Sequence, residues 1–291
     1  RPIILIGSEK LLKIQMKKLG YKIGIKKVHQ NEVLNKLNNN KLINLINVNF
    51  DNLKSPFSKI TNKSNQYIKN CFDVALDLLK KDAQISLVNG PISKKSFLKN
   101  KFLGITEYLA KKVKKKDKVA MLIYNKKLSV SPITTHLPLK LVHRNLTKSK
   151  IINNVKLITE FYLKQFKKKP KIAITGLNPH CESNYKSSEE DKVIIPTIKK
   201  LNKTKYKVDG PFAADTIFMK KNSIKYDVII GMYHDQVLTP AKTLFDFNAI
   251  NITLGLPFIR ISPDHGPNTS MLGKNISNPN SLIESLKFLN K

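Results

Sequence analysis

With 291 residues and 41% hydrophobic content, the chain is long enough to bury a sizeable core, and its length favours two domains over one. No apolar run approaches the ~20 residues of a membrane-spanning helix, Pro2-Ile3-Ile4-Leu5-Ile6-Gly7 is too short for a secretory leader, and two cysteines, Cys71 and Cys181, make no disulfide framework, so a reducing, cytoplasmic setting is expected and no membrane partner. A formal net charge of +33 suits a polyanion partner, but the lysines are scattered through nearly every segment and the arginines are only Arg1, Arg144 and Arg260, so neither arginine readout of bases nor aromatic interleaving is present and no specific nucleic-acid partner is expected.

In chain order, strand candidates alternate with helical patterns, the signature of an α/β architecture. Pro2 to Ile6 reads as a strand and Glu9 to about Leu19 as a helix. After a Lys/Asn-rich region comes the short apolar run Leu42 to Val48. A helix then covers about Asn65 to Lys80, with Ile68, Cys71, Val74, Ala75, Leu78 and Leu79 at helical spacing. Ile85 to Val88 is a strand that breaks into Asn89-Gly90-Pro91. A helix around Thr106 to Lys115 leads into a hairpin, with Val119 to Tyr124 turning at Asn125-Lys126-Lys127 into Leu128 to Thr134. Lys148 to Phe166 is a long amphipathic helix ending in the solvated run Lys167-Lys168-Lys169. Ser188 to Leu201 is another helix, where Pro196 would introduce a kink. Asn251 to Leu254 is a strand and Asn280 to Leu289 a closing helix. No internal repeat or long flexible linker marks a domain boundary.

Three histidines share one context. His136 ends the run Leu128 to Thr135, His180 follows Ile172-Ala173-Ile174-Thr175-Gly176 by the turn Leu177-Asn178-Pro179, and His234 closes Asp227 to Tyr233. In a parallel α/β sheet the carboxyl ends of strands open onto the ligand crevice. Three imidazoles delivered there can converge on one divalent cation and leave coordination positions free for chemistry. The alternative is that each histidine caps a turn or bonds a backbone carbonyl.

Five ordered segments carry a resemblance: Thr134-Thr135-His136-Leu137-Pro138-Leu139, Gly176-Leu177-Asn178-Pro179-His180, Ala214-Asp215-Thr216-Ile217-Phe218, Met232-Tyr233-His234-Asp235-Gln236, and Asn251 through Arg260. Together they resemble the 4-hydroxythreonine-4-phosphate dehydrogenase family of pyridoxal phosphate biosynthesis. The resemblance runs from about Pro2 to the C-terminus. It implies an isocitrate/isopropylmalate dehydrogenase-like fold with two α/β domains, 1–107 with 256–291 and 108–255, and an active site in the cleft between them. It also implies a homodimer whose site is shared between subunits, with His136, His180 and His234 as metal ligands. Zinc or cobalt suits all-imidazole ligation better than magnesium. The implied reaction is NAD-dependent oxidation and decarboxylation of 4-phosphooxy-L-threonine to 3-amino-2-oxopropyl phosphate.

By the same resemblance Thr106, Lys242, Asn251 and Arg260 contact the phosphorylated hydroxy amino acid. A cationic Lys242 and a fork-shaped Arg260 suit its carboxylate and phosphate oxygens. Lys94, Asp215 and Asp235 are the candidates for proton transfer or ligand orientation. Asp235 beside a ligand suits an outer partner to an imidazole, and Asp215 before Thr216 also suits a helix N-cap. No Gly-x-Gly-x-x-Gly follows a strand. Instead the loop 264–279 resembles the NAD-wrapping loop of isopropylmalate dehydrogenases, which makes His265, Gly266 and Asn278 the cofactor candidates.

Three departures from the family pattern stand out. A first strand leading to Gly-Asp-Pro-x-Gly-Ile-Gly-Pro-Glu has no counterpart, so the expectation is a fold lacking that strand. The usual Gly-His-Thr-Glu is Gly104-Ile105-Thr106-Glu107, which replaces a substrate-contacting imidazole with Ile105. Cys181-Glu182-Ser183-Asn184 replaces a glycine-rich loop, and Cys181 reads as a bystander to His180. Competing expectations are therefore a sibling dehydrogenase acting on D-threonate or D-erythronate 4-phosphate, and a non-enzymatic polyanion-binding protein or inactive truncated fragment.

Overall fold

The computed structural model describes residues 2–31, 37, 41–51, 55–57, 60–99, 101–115, 118–181, 187–246 and 248–290. Strands β1 (Ile4–Gly7), β2 (Ile25–Lys27) and β3 (Ile43–Asn47) form a small parallel sheet in the order β1-β3-β2. A mixed eight-stranded sheet holds β4 (Leu87–Val88), β5 (Ala120–Tyr124), β6 (Ser129–Thr134), β7 (Ile172–Thr175), β8 (Asp209–Phe212), β9 (Val228–Tyr233), β10 (Ile250–Leu254) and β11 (Arg260–Pro263). Its order is β4-β11-β10-β5-β6-β9-β7-β8. β6, β9, β7 and β8 run parallel, whereas β5 and β10 enter antiparallel. Strands β4 and β11, on one side of the domain division set at 107/108 and 255/256, extend the sheet built by the other side.

The near-continuous apolar runs are explained by burial on both faces. Successive side chains alternate, so Leu122, Ile172, Ile174, Val228, Ile230 and Met232 join one core cluster. Met121, Ile123, Ala173 and Ile229 join another on the opposite face. The helix Lys148–Phe166 covers the first face with Ile151, Val155, Ile158 and Tyr162. The helix His234–Phe245 covers the second with Val237, Leu238 and Ala241. A third cluster, built on Phe72, Leu76, Ile105, Tyr108 and Leu109, joins the helices Asn62–Lys81 and Ile105–Lys112. Ile105 is buried within it.

The expected helices and strands at 9–19, 148–166, 172–175, 228–233 and 280–289 agree with those observed. The second helix starts at Asn62 rather than near Asn65, because Thr61 and Ser64 form a reciprocal capping box there. The helix expected from Ser188 to Leu201 is present but changes its winding along the way. Glu190–Ile194 winds as a wide π-turn and runs on through αR backbone into the α-helix Ile195–Asn202, with Pro196, the expected kink position, just past the change of winding. β2, β8, β11 and the helix His234–Phe245 lie outside the sequence-derived elements. No helix among the described residues is long and apolar enough to cross a membrane.

Ile230, fully buried at the centre of β9, tests this packing. Ile230→Ala is expected to lower unfolding free energy by about 2–5 kcal/mol, the usual range for cavity-creating core truncations, in urea titration of the full chain.

Candidate active site

Parallel pairing of β6 and β7 on either side of β9 brings three chain segments to one edge of the sheet. His136 leaves β6 after Thr135, His234 follows β9 directly, and His180 lies in the Pro179–Cys181 turn beyond β7. Both His136 (φ 43°) and His180 (φ 57°) hold left-handed backbone, as does Cys181 (φ 59°). Residues with a Cβ pay for that conformation, and such strain gathers at functional sites where the surroundings enforce it. The imidazoles of His136 and His234 stand side by side with ring centroids 5.6 Å apart. Among the described residues, no three His, Cys, Asp or Glu side chains of one chain converge closely enough to hold a metal ion. The structure thus brings together two of the three candidate ligands, with His180 outside that pair.

The surroundings of His136 are specific. Lys94 Nζ lies 2.8 Å from His136 Nε2, while Nδ1 is buried with no hydrogen-bond partner. Burial first, then the charges of Lys94 and His234, push the imidazole down to about 4. At neutral pH the ring is therefore uncharged, one nitrogen carrying the proton and the other a lone pair. Burial also pushes Lys94 below the ordinary lysine range, against the opposing pull of Glu107. Glu107 accepts from Thr135 Oγ1 through Oε1 at 3.1 Å, and its Oε2 is buried without a partner. Gly104 permits this crowding, since a Cβ there would stand 2.7 Å from Glu107 Oε2 and 3.3 Å from His136 Nδ1. A neutral imidazole with an unpartnered buried nitrogen, beside a second imidazole, fits a divalent cation.

Arg260 is the buried cation near this centre. It is 3% exposed, and its guanidinium donates to Asn89 Oδ1 at 2.8 Å and to Thr253 Oγ1 at 3.0 Å. Thr253 Oγ1 lies in turn 3.3 Å from Thr106 Oγ1. Burial draws the guanidinium down to about 10, opposed by the charge of Glu107. Among the described residues no carboxylate forms an ion pair with it, so a buried cation stands without its counter-ion. Asn251 Oδ1, buried on neighbouring β10, also has no partner.

Other candidates fall around this centre. Lys242 Nζ donates to the Asp264 backbone oxygen and to Asp264 Oδ2, both at 2.8 Å, which ties the helix His234–Phe245 to the loop after β11. Burial raises the Asp264 carboxyl, with Lys242 acting in the opposite direction. His265 and Gly266 are exposed, and nothing lies within 4 Å of where a Cβ of Gly266 would stand. That leaves backbone open to a ligand. Tyr21 donates to Asn275 Oδ1 at 2.8 Å, and Gly273 packs against Phe57, so the loop leans on the small sheet's side of the molecule. Asn278 Oδ1 accepts the Asn280 N–H at 2.9 Å and starts the last helix. Asp235 contacts His234 Nδ1 at 2.6 Å, the geometry of an orienting carboxylate. Asp215 is exposed in the first turn of the helix Ala214–Ile217, whose N-cap is Ala213, so the N-cap alternative for Asp215 does not hold. That helix packs beside the Pro179–Cys181 turn.

Sequence reasoning passed over Glu107, Asn89, Thr253, Glu190, Asp264 and Gln236. Four of them sit inside quoted motifs, Glu107 after Thr106, Gln236 after Asp235, Thr253 two residues after Asn251 and Asp264 before His265, where polar residues beside ligands were the available signal. Asn89 and Glu190 reach the site and its supports from a turn and a helix whose contacts only the fold reveals.

The family described as Pyridoxal phosphate biosynthetic protein PdxA matches residues 1–289. The 4-hydroxythreonine-4-phosphate dehydrogenase of Sulfurihydrogenibium sp. (strain YO3AOP1) is 40% identical over 291 aligned residues, which cover 98% of this chain and 87% of the relative. The crystal structure of 4-hydroxythreonine-4-phosphate dehydrogenase from Klebsiella pneumoniae superposes with a TM-score of 0.81 at 25% identity, covering 99% of this chain and 89% of that one. The enzyme of the same name from Burkholderia phymatum gives 0.75 at 27% identity, covering 98% and 88%.

The depressed His136 makes metal-free stability pH-dependent. Between its ordinary value of 6.5 and about 4 the unfolded chain binds a proton that the folded site refuses. Stability of EDTA-treated protein is expected to fall as pH drops through that window, and His136→Gln should flatten this part of the profile in urea titrations. An unchanged slope in the variant contradicts the assignment.

Proposed function

The chain belongs to the PdxA family of pyridoxal phosphate biosynthetic proteins, and on that premise we propose that it is an NAD-dependent, metal-assisted dehydrogenase of 4-phosphooxy-L-threonine. The single observation that carries the substrate class is Arg260, a buried guanidinium with no carboxylate partner among the described residues. A desolvated cation of this kind is stabilised by an anionic group, and a phosphate or carboxylate offers its fork two oxygens. Asn251 Oδ1 and the Thr106 hydroxyl add neutral polar contacts on the same side.

The proposed ligand set is His136, His234 and His180, completed between the subunits of a homodimer. A divalent cation held by these histidines would supply Lewis acidity for the oxidation and the decarboxylation. NAD⁺, if held by the loop with exposed His265 and open Gly266, would supply the hydride acceptor for C3. Lys94 is the residue placed to take the proton, His136 being reserved for the cation. Burial weakens the hold of Nζ on its proton, so that Lys94 as the neutral amine would accept the hydroxyl proton and become the ammonium. Arg260 and Lys242 fix the anionic ends so that C3 faces the nicotinamide side. Decarboxylation of the β-keto acid then yields 3-amino-2-oxopropyl phosphate.

Ile105 keeps a second substrate in view. Its apolar side chain is buried against the Phe72 and Tyr108 cluster and offers no hydrogen bond to an amino group. D-Threonate and D-erythronate 4-phosphates, which lack that group, are therefore the proper comparison substrates.

NADH formation from each phosphorylated acid tests the reading. Turnover is expected with 4-phosphooxy-L-threonine, to vanish on chelation and to return with Zn²⁺ or Co²⁺. Arg260→Lys should lower kcat/KM roughly 10- to 100-fold, the cost of about 1.5–3 kcal/mol of charge-assisted hydrogen bonding. Full activity in the variant, or in the presence of excess EDTA, contradicts it.

A further inference from the structure

We propose that Glu190 is a positioning residue for His180, acting by clamping the turn that carries it. The inference rests on the reading of His180 as a metal ligand.

Glu190 is 1% exposed, yet among the described residues its neighbours at hydrogen-bond distance are amides rather than cations. Oε1 accepts the backbone N–H of Leu177 at 2.7 Å and of Asn178 at 2.9 Å, and Oε2 accepts Asn178 Nδ2 at 2.8 Å. Asn178 Nδ2 also donates to Glu189 Oε2 at 3.0 Å. Burial pushes the Glu190 carboxyl up, but these N–H groups outweigh it and hold the group below the ordinary carboxylate range. In a chain with 53 lysines and arginines, a buried carboxylate neutralised by one turn's amides serves that turn. The wide π-turn Glu190–Ile194 is what places the carboxylate against it, and such turns recur at functional sites.

The same turn is fixed from its other side. Gln236, two residues after His234, donates through Nε2 to the Gly176 oxygen at 2.8 Å. Its Oε1 accepts from Thr175 Oγ1 at 3.0 Å and from the Met232 N–H at 2.7 Å. Gly176 is enclosed, since a Cβ there would stand 2.7 Å from Cys181 Sγ and 2.9 Å from Glu190 Oε1. Residues 175–178 are thereby tied to the end of β9 and to the π-turn. Pro179 removes one further degree of freedom before His180 takes its left-handed backbone. Without the Glu190 clamp the turn is free to relax that strain, and the imidazole loses its fixed position.

The test uses the full chain and Co²⁺, with affinity read by competition against a chromophoric chelator and folding read by thermal melting. Glu190→Ala is expected to weaken Co²⁺ binding about 10- to 100-fold, the usual effect of removing an outer partner of a ligand. Glu190→Gln, whose amide oxygen still accepts both backbone N–H groups, should stay within about threefold of the parent. The double variant Glu190→Ala with His180→Ala should bind no more weakly than His180→Ala alone, because Glu190 acts through that ligand. Should Glu190→Ala fail to fold, Glu190→Asp, which keeps the charge but falls short of the turn, carries the same expected loss. If His180→Ala weakens binding but the Glu190 variants match the parent, the positioning role is overturned while the ligand assignment stands. If His180→Ala itself binds Co²⁺ like the parent, the ligand assignment falls and this inference with it.

Discussion

The parallel pairing of β6 and β7 against β9 is the constraint on which the site depends. Val228 is paired with Ser129 on one side and Ile172 on the other, so the strands start level and their carboxyl ends reach the same edge. Everything chemical at that edge follows from where the pairing stops. His234 opens a helix directly after β9, and His136 and His180 turn off β6 and β7 through left-handed backbone. The apolar runs that build these strands are buried on both faces, so the core that stabilises the sheet also sets the position of the imidazoles.

Charge is sorted sharply between surface and site. The net charge of +33 is carried by lysines none of which is buried among the described residues, whereas the buried charged side chains are Glu190, Arg260 and Asp264. Each of the three belongs to the site or its supports. Arg260 waits in the interior with Asn89 and Thr253, Asp264 receives Lys242, and Glu190 receives amides. Desolvated charge is costly, and its confinement to one region marks where the fold spends stability on function. The lysine excess, spread over the exterior, is a surface property and carries no comparable organisation.

Much of this was legible in the residues alone. Period-two and continuous apolar runs located the central strands, and helical spacing located the long covering helices. The strand-end context of His136, His180 and His234 needed no fold to be noticed. What escaped detection has physical causes. β2 and β8 are short and carry lysine or Gly-Pro in place of apolar alternation, and β11 contains Arg260, whose charge hides a buried strand. The helix His234–Phe245 contains Pro240, which sequence rules count against helices. Glu107, Glu190 and Gln236 act through contacts between residues far apart in the chain or through turn geometry, and no local pattern encodes such distances. The pairing of His136 with Lys94, separated by 42 residues, is of the same kind.

Anomalous diffraction from crystals of the Zn²⁺-loaded protein tests the central claim most directly. The account predicts one zinc peak per subunit at the β6-β9-β7 edge, within about 2.0–2.1 Å of nitrogens from His136, His180 and His234 of the dimer. A zinc peak held by other residues, or one that leaves His136 and His234 uncoordinated, would contradict it.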